Sequence, residues 1–189
     1  MTSSDILPQL FKYVPAVLQD KVQMHWDAWL KACEGAGHSL QPLVDPAILG
    51  KVWACSDFIA TTSCRKPDLW FQLLEAELLD RSIELADYRT ELESLLASVP
   101  GSNDFALMQV LRLYRQKHML RIAWRDIAGQ ASTTETLRNL TDLAETCVDV
   151  TLEFLYQDQC QLLATPCDAE GVAMRMVVLG MGKLGGHEL

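Results

Sequence analysis

The chain's clearest chemical signal is its last stretch, VVLGMGKLGGHEL, from Val177 to Leu189. An apolar run leads into Gly180, Gly182, Gly185 and Gly186, with Lys183 set between them. A turn without side chains lets main-chain N–H groups approach phosphate oxygens that a Cβ would hold off. The chemistry implied is phosphate or nucleotide binding, and three patterns compete for it. Gly180-x-Gly182-x-x-Gly185 fits the dinucleotide-binding spacing G-x-G-x-x-G. That motif normally starts a fold, whereas here a long helical stretch precedes it, and its confirming acid falls beyond the chain. A Walker A loop fails, because Lys183 stands before the glycine pair and no Gly-Lys-Ser or Gly-Lys-Thr follows. The third pattern is a nucleotidyltransferase: a strand, a turn ending in Gly-Gly, then a strand with two aspartates that hold metal ions. LGG at Leu184 to Gly186 has the form of that turn.

Other residues with chemical capacity are less telling. Arg121 and Arg125 stand one helical turn apart, with Asp126 beside them. They either reach into a substrate site or, more simply, make surface or interhelix ion pairs. His25, His38 and His118 have no nucleophile or carboxylate at a catalytic spacing and read as structural or surface histidines. Trp26, Trp29, Trp53, Trp70 and Trp124 are spaced as core anchors of amphipathic helices. Cys33, Cys55, Cys64, Cys147, Cys160 and Cys167 form no C-x-x-C pair, so they read as free thiols of a reducing cytoplasm rather than a zinc site.

The elements that must position these residues are helices. PAVLQDKVQMHWDAWLKACEGAG opens on Pro15 and stops at Gly35 and Gly37, with Val17, Leu18, Val22, Trp26, Trp29 and Leu30 as its apolar stripe. Asp45 caps, and Pro46 begins, a helix through DPAILGKVWACSDFIA. Pro67 opens another through PDLWFQLLEAELL, and a short one around TELESLLASVP closes at Pro100. A longer segment runs from Gly101 and Ser102 to Gly129, with Leu107, Leu111, Tyr114, His118, Ile122 and Trp124 to one side. Arg112, Arg115, Lys117, Arg121 and Arg125 lie across its other sides. Ser132 and Glu135 match a capping box that opens a helix of some 30 residues, long enough to act as a spine. After Thr165-Pro166, CDAEG is a turn and VAMRMVVLG reads as a strand. One strand cannot bury itself, so the rest of its sheet is expected beyond Leu189, and Val177 to Leu179 are left uncovered.

Bulk properties exclude several classes. A chain of 189 residues suits one domain, or one and the start of another. Apolar residues at 49% suffice for a core, and a net charge of -9 disfavours nucleic acid and anionic membranes as partners. No stretch approaches a membrane span, and the N-terminus lacks the layout of a secretory signal.

GMGKLGGHEL resembles the opening of the active-site motif of the bifunctional glutamine synthetase adenylyltransferase/adenylyl-removing enzyme family, which there continues into Asn and Ser-Asp-Ile-Asp. LRLYRQKHMLRIAWRDIAG (Leu111 to Gly129) and LTDLAETCVDVTLEFL resemble two successive helices of that family, and SDFIATTSCRKPDLW (Ser56 to Trp70) fits more loosely. The likeness spans most of the chain. It implies a mainly α fold: a helical N-terminal region, 1–170, leading into the first strand and glycine-rich turn of a truncated α/β nucleotidyltransferase domain, 171–189.

The resemblance implies an N-terminal fragment of the adenylyl-removing half, which takes AMP off a glutamine synthetase tyrosine by phosphorolysis and yields ADP. The C-terminal half adds AMP from ATP. Glutamine synthetase, the PII signalling protein, glutamine, ATP, ADP and orthophosphate are the implied partners, in the cytoplasm, with neither nucleic acid nor membrane. Gly185 and Gly186 would form the phosphate-facing turn, Gly180 and Gly182 would bend the strand exit, and Lys183 is either a phosphate contact or a solvated loop lysine. His187 and Glu188 would begin the next helical turn. Magnesium would be the cofactor, its ligands expected beyond Leu189, so that this chain holds no catalytic or metal residue and is expected to be inactive alone. A helical interaction module is the alternative, and the start of a dinucleotide-binding oxidoreductase a weaker one.

Overall fold

The computed structural model describes residues 3–38, 44–100 and 103–189, and these are mainly α-helical. In order the helices are α1 (Ser3–Leu10), α2 (Ala16–Ala36), α3 (Pro46–Cys55), α4 (Asp57–Arg65), α5 (Pro67–Glu75), α6 (Leu85–Leu96), α7 (Asp104–Ala128) and α8 (Thr133–Leu163). The chain divides into two compact units. The first comprises Met1–Ser82 and Met119–Thr133, the second Ile83–His118 and Thr134–Leu189.

In the first unit α1 packs on α3, while α2 packs against α3, α4 and α5. α2 follows Pro15 and stops at Gly37, whose φ of 74° supplies the left-handed exit that closes a helix. Asp45 caps α3 by accepting from the Ala47 N–H at 2.8 Å. The single helix expected through DPAILGKVWACSDFIA is two. Ser56 is extended at φ -141°, and its hydroxyl accepts from the Ile59 N–H, so it ends α3 and caps α4. A serine between two apolar runs can be a helix interior or a cap, and here the cap prevails.

The sequence pattern did not indicate α1, which carries Pro8 inside it. It lodges against α3 at Gly50, where a Cβ would stand 1.8 Å from the Leu10 carbonyl oxygen. Only a glycine admits that approach. The stripe expected on α2 is narrower than drawn: Val22, Trp26 and Trp29 are buried, whereas Val17 is 86% exposed. Trp26, Trp29 and Trp53 pack with ring centroids 5.4–6.4 Å apart, and Phe71 stacks on Trp29. Trp70 meets Trp124 of α7 edge to face at 4.9 Å. All five tryptophans are fully buried.

In the second unit α6 begins at Leu85, earlier than the sequence pattern placed it, and the Glu84 N–H donates to the Asp87 side chain. Gly101 and Ser102, the expected opening of α7, lie outside the described residues. Tyr114 of α7 donates its hydroxyl hydrogen to the Tyr88 carbonyl at 2.8 Å, and the Tyr88 hydroxyl donates to Asn139 of α8 at 2.9 Å. These bonds let two buried phenols satisfy their polar ends inside an apolar core. Leu92, Leu96, Leu107, Leu143 and Val150 complete that core.

The strand expected over VAMRMVVLG is not formed among the described residues. Cys167 and Ala173 make one isolated antiparallel bridge, and residues 174–181 run on without a ladder partner. A single extended segment has no second row of carbonyls and amides to pair with.

Candidate functional site

The glycine turn is reached from α8 through a fastened loop. Asp168 accepts from the amides of Glu170 and Val172, which closes the turn before the extended segment. Tyr156 of α8 then donates to the Met174 carbonyl at 2.6 Å, and Arg175 lies 3.6 Å from Glu153. Past that point Met176, Val177, Leu179 and Met181 are between 67% and 85% exposed.

At residues 182–187 the chain coils into hydrogen-bonded turns. The Gly186 amide donates to Gly182 O at 2.9 Å, His187 to Leu184 O at 3.1 Å, and Glu188 to Lys183 O at 2.8 Å. Gly182 has a φ of 65°, and a Cβ on Gly185 would meet the Gly180 carbonyl oxygen at 2.5 Å. Glycine is therefore favoured at 182 by conformation and required at 185 by contact. Gly186 has more room, since a Cβ there would stand 3.4 Å from the Gly182 carbonyl oxygen. Of the two expected phosphate-facing glycines, Gly186 spends its amide inside the turn. The Gly185 amide has no hydrogen-bond partner among the described residues.

Gly180 and Gly185 line a cleft of about 270 Å³ together with Val178, Leu184, Glu145, Val148 and Asp149. Gly182, Lys183 and Gly186 lie outside its lining. Lys183 is exposed and makes no ion pair among the described residues. The opposite wall carries Glu145 and Asp149, one turn apart on α8, with His187 Nδ1 3.7 Å from Glu145. Nearby Asp142 has its carboxyl pushed above the usual range by burial, against the pull of Arg138 and with the help of the Glu145 charge. The cleft is thus acidic on one side, which opposes a phosphate unless a cation stands between. Sequence reasoning did not single out Glu145 and Asp149, although their spacing on one helix face was visible.

Magnesium does not fit the residues present. Among the described residues there is no group of three or more His, Cys, Asp or Glu able to hold a metal ion. No step of the chemistry is assigned to one.

The two arginines are not surface groups. Arg121 is fully buried and donates through Nε to the Leu78 carbonyl at 2.9 Å and through a terminal nitrogen to Arg81 O at 2.5 Å. Arg125, 5% exposed, donates to the carbonyls of Leu79 and Gln130. Both tie the loop after α5 to α7 in the first unit. His118 is buried too, its Nε2 3.0 Å from Glu91, its ring edge-on to Tyr88 and Tyr114. Burial alone would raise the Glu91 carboxyl, but the hydrogen bonds and charges of His118 and Lys117 outweigh it and hold it at about 2. His25 packs beside Trp53 and lies 3.8 Å from Asp57; burial lowers its imidazole against the pull of that carboxylate. His38 bonds Asp68 at 2.8 Å and stacks on Phe71. None of the three adjoins the glycine turn in the cleft lining.

A family model described as glutamate-ammonia ligase adenylyltransferase matches residues 47–189. The chain is 39% identical over 187 residues to the bifunctional glutamine synthetase adenylyltransferase/adenylyl-removing enzyme of Thioalkalivibrio sulfidiphilus, covering 99% of this chain and 18% of that protein. Identity to the enzyme of the same name from Hahella chejuensis is 34% over 184 residues, 96% of this chain and 18% of the relative. For that of Nitrosococcus oceani it is 44% over 139 residues, 73% of this chain and 14% of the relative. The chain thus spans less than a fifth of the length of these curated relatives.

Proposed function

The chain belongs to the glutamate-ammonia ligase adenylyltransferase family, and from that we propose that it serves the adenylyl-removing half of a bifunctional glutamine synthetase adenylyltransferase/adenylyl-removing enzyme. In this reading 1–170 are its helical N-terminal region and 171–189 begin the nucleotidyltransferase domain, where VAMRMVVLG becomes a strand once a neighbour pairs with it. Orthophosphate attacks the adenylyl phosphorus, the P–O bond to the glutamine synthetase tyrosine breaks, the tyrosine oxygen takes a proton, and ADP departs. Magnesium is the cofactor the family resemblance implies, and its ligands would lie outside the described residues. The PII protein and glutamine are the proposed regulators, and ATP serves the opposite half.

One observation carries the reading: the turn has no room for a Cβ at Gly185 and leaves the Gly185 amide uncommitted at the cleft. A main-chain donor with no Cβ in front of it is what a phosphate oxygen requires. This chain's own part is to present that amide and to hold the turn on α8. Family membership leaves no support for the dinucleotide-binding oxidoreductase.

The test is a chimaera in which these 189 residues replace the matching segment of the Thioalkalivibrio sulfidiphilus enzyme. ADP release from adenylylated glutamine synthetase, with orthophosphate and magnesium, is expected from the chimaera and not from the 189 residues alone. A folded chimaera that adds AMP but releases no ADP overturns the assignment to the removing half. Turnover by the isolated chain overturns the view that it lacks a metal-binding group.

A further inference from the structure

The outer side of the first half of α7 has a composition of its own. Phe105, Met108, Arg112 and Arg115 are spaced three, four and three residues apart, which sets them along one helix face over about 15 Å. Leu107, Tyr114 and His118 are turned the other way and buried. Phe105 is 67% and Met108 54% exposed, and both arginines are exposed.

The remaining arginines and lysines of this unit, Lys183 of the glycine turn apart, are engaged. Arg89 lies against Glu93 and Asp149, Lys117 against Glu91, Arg138 against Glu84 and Arg175 against Glu153. Arg112 and Arg115 have no carboxylate partner among the described residues, in a chain whose net charge is -9. Solvation explains a charged helix face. It does not explain why a phenylalanine and a methionine continue the same line into water.

We propose that the α7 face formed by Phe105, Met108, Arg112 and Arg115 docks an acidic segment of a protein partner. Carboxylates of that segment meet the two guanidiniums, and an apolar side chain covers Phe105 and Met108. Guanidinium forks match carboxylates in a bidentate manner, and arginine, aromatic and methionine side chains are the types enriched where protein partners bind. Two cations neutralise too few phosphates to hold a nucleic acid against this chain's acidity, and the same repulsion disfavours an anionic membrane.

Binding is measured with the 189-residue chain and two fluorescent helical peptides, one with leucine and glutamate on a single face, the other with lysine for each glutamate. The acidic peptide is expected to bind at least tenfold more tightly. Arg112→Glu with Arg115→Glu is expected to reverse that preference, a gain that damage to the fold does not produce. Phe105→Ser with Met108→Ser is expected to weaken the acidic peptide at least tenfold with the helical circular dichroism unchanged. Equal binding of both peptides, or indifference to either double substitution, overturns the proposal. So does tighter binding of polyuridylate or phosphatidylserine vesicles through the same arginines, or self-association abolished by these substitutions.

Discussion

A buried guanidinium is costly unless every direction it points in finds an acceptor. Arg121 donates to the main-chain carbonyls of Leu78 and Arg81. Arg125, one turn on, reaches those of Leu79 and Gln130 through its terminal nitrogens, while its buried Nε finds no acceptor among the described residues. Lysine has no planar fork, so Arg121→Lys leaves at least one carbonyl unmatched. Arg121→Met is expected to cost about 3 kcal/mol of stability in urea titration, and Arg121→Lys nearly as much. A loss within experimental error for both would place the loop's stability elsewhere. Glu91 allows a pH prediction. Its folded carboxyl sits at about 2 against the usual 4.5, so above pH 4.5 its contribution is complete. As pH falls from there toward 2 the unfolded chain binds the proton first and the contribution is lost. His25 acts in the same direction at higher pH: burial lowers its imidazole below 6.5, so the unfolded chain protonates first there too. Glu91→Gln is expected to flatten the acid limb below pH 4.5, read as the urea midpoint against pH.

Elements here are set by caps and by close approaches. α3 and α4 are separate because Ser56 leaves the helical region and caps the second of them. Ser56→Ala is expected to cost about 1 kcal/mol, and Ser56→Asp to cost little, since aspartate caps as well. α1 is held by the absence of a side chain at Gly50, where the Leu10 carbonyl oxygen occupies the place of a Cβ. Gly50→Ala raises intrinsic helix propensity in α3 and yet is expected to destabilise by about 2 kcal/mol or more, because backbone rather than a flexible side chain must move. A neutral or stabilised Gly50→Ala would show that α1 does not sit on α3. In the glycine turn the same contrast separates two neighbours. Gly185→Ala, with a 2.5 Å contact to the Gly180 carbonyl, is expected to reduce ADP release by the chimaera more than tenfold, and Gly186→Ala far less.

Across the whole molecule the six thiols report on packing. All are free; Cys55 and Cys167 are exposed, Cys33 is buried, and the other three are intermediate. Burial pushes the Cys33 and Cys64 thiols up to about 11, which starves them of thiolate at neutral pH. Iodoacetamide is therefore expected to modify Cys55 and Cys167 first and Cys33 last, with the order followed by peptide mass spectrometry. Early modification of Cys33 would mean that the tryptophan cluster of the first unit opens readily.

What the residues determined alone was local. Pro15 and Gly37 bound α2, Asp45 and Pro46 start α3, and the uninterrupted stretches before Gly129 and after Ser132 are the two long helices. Caps, prolines and glycines act within a few residues, so their effects are written in order along the chain. The terminal glycines and their upstream helices also carried the family likeness. Tertiary structure alone decided that Arg121 and Arg125 are internal struts, that Gly50 is a contact point, and that Glu145 and Asp149 face Gly185. Each of those depends on an atom far away in sequence, and no periodicity records which carbonyl or carboxylate will arrive there.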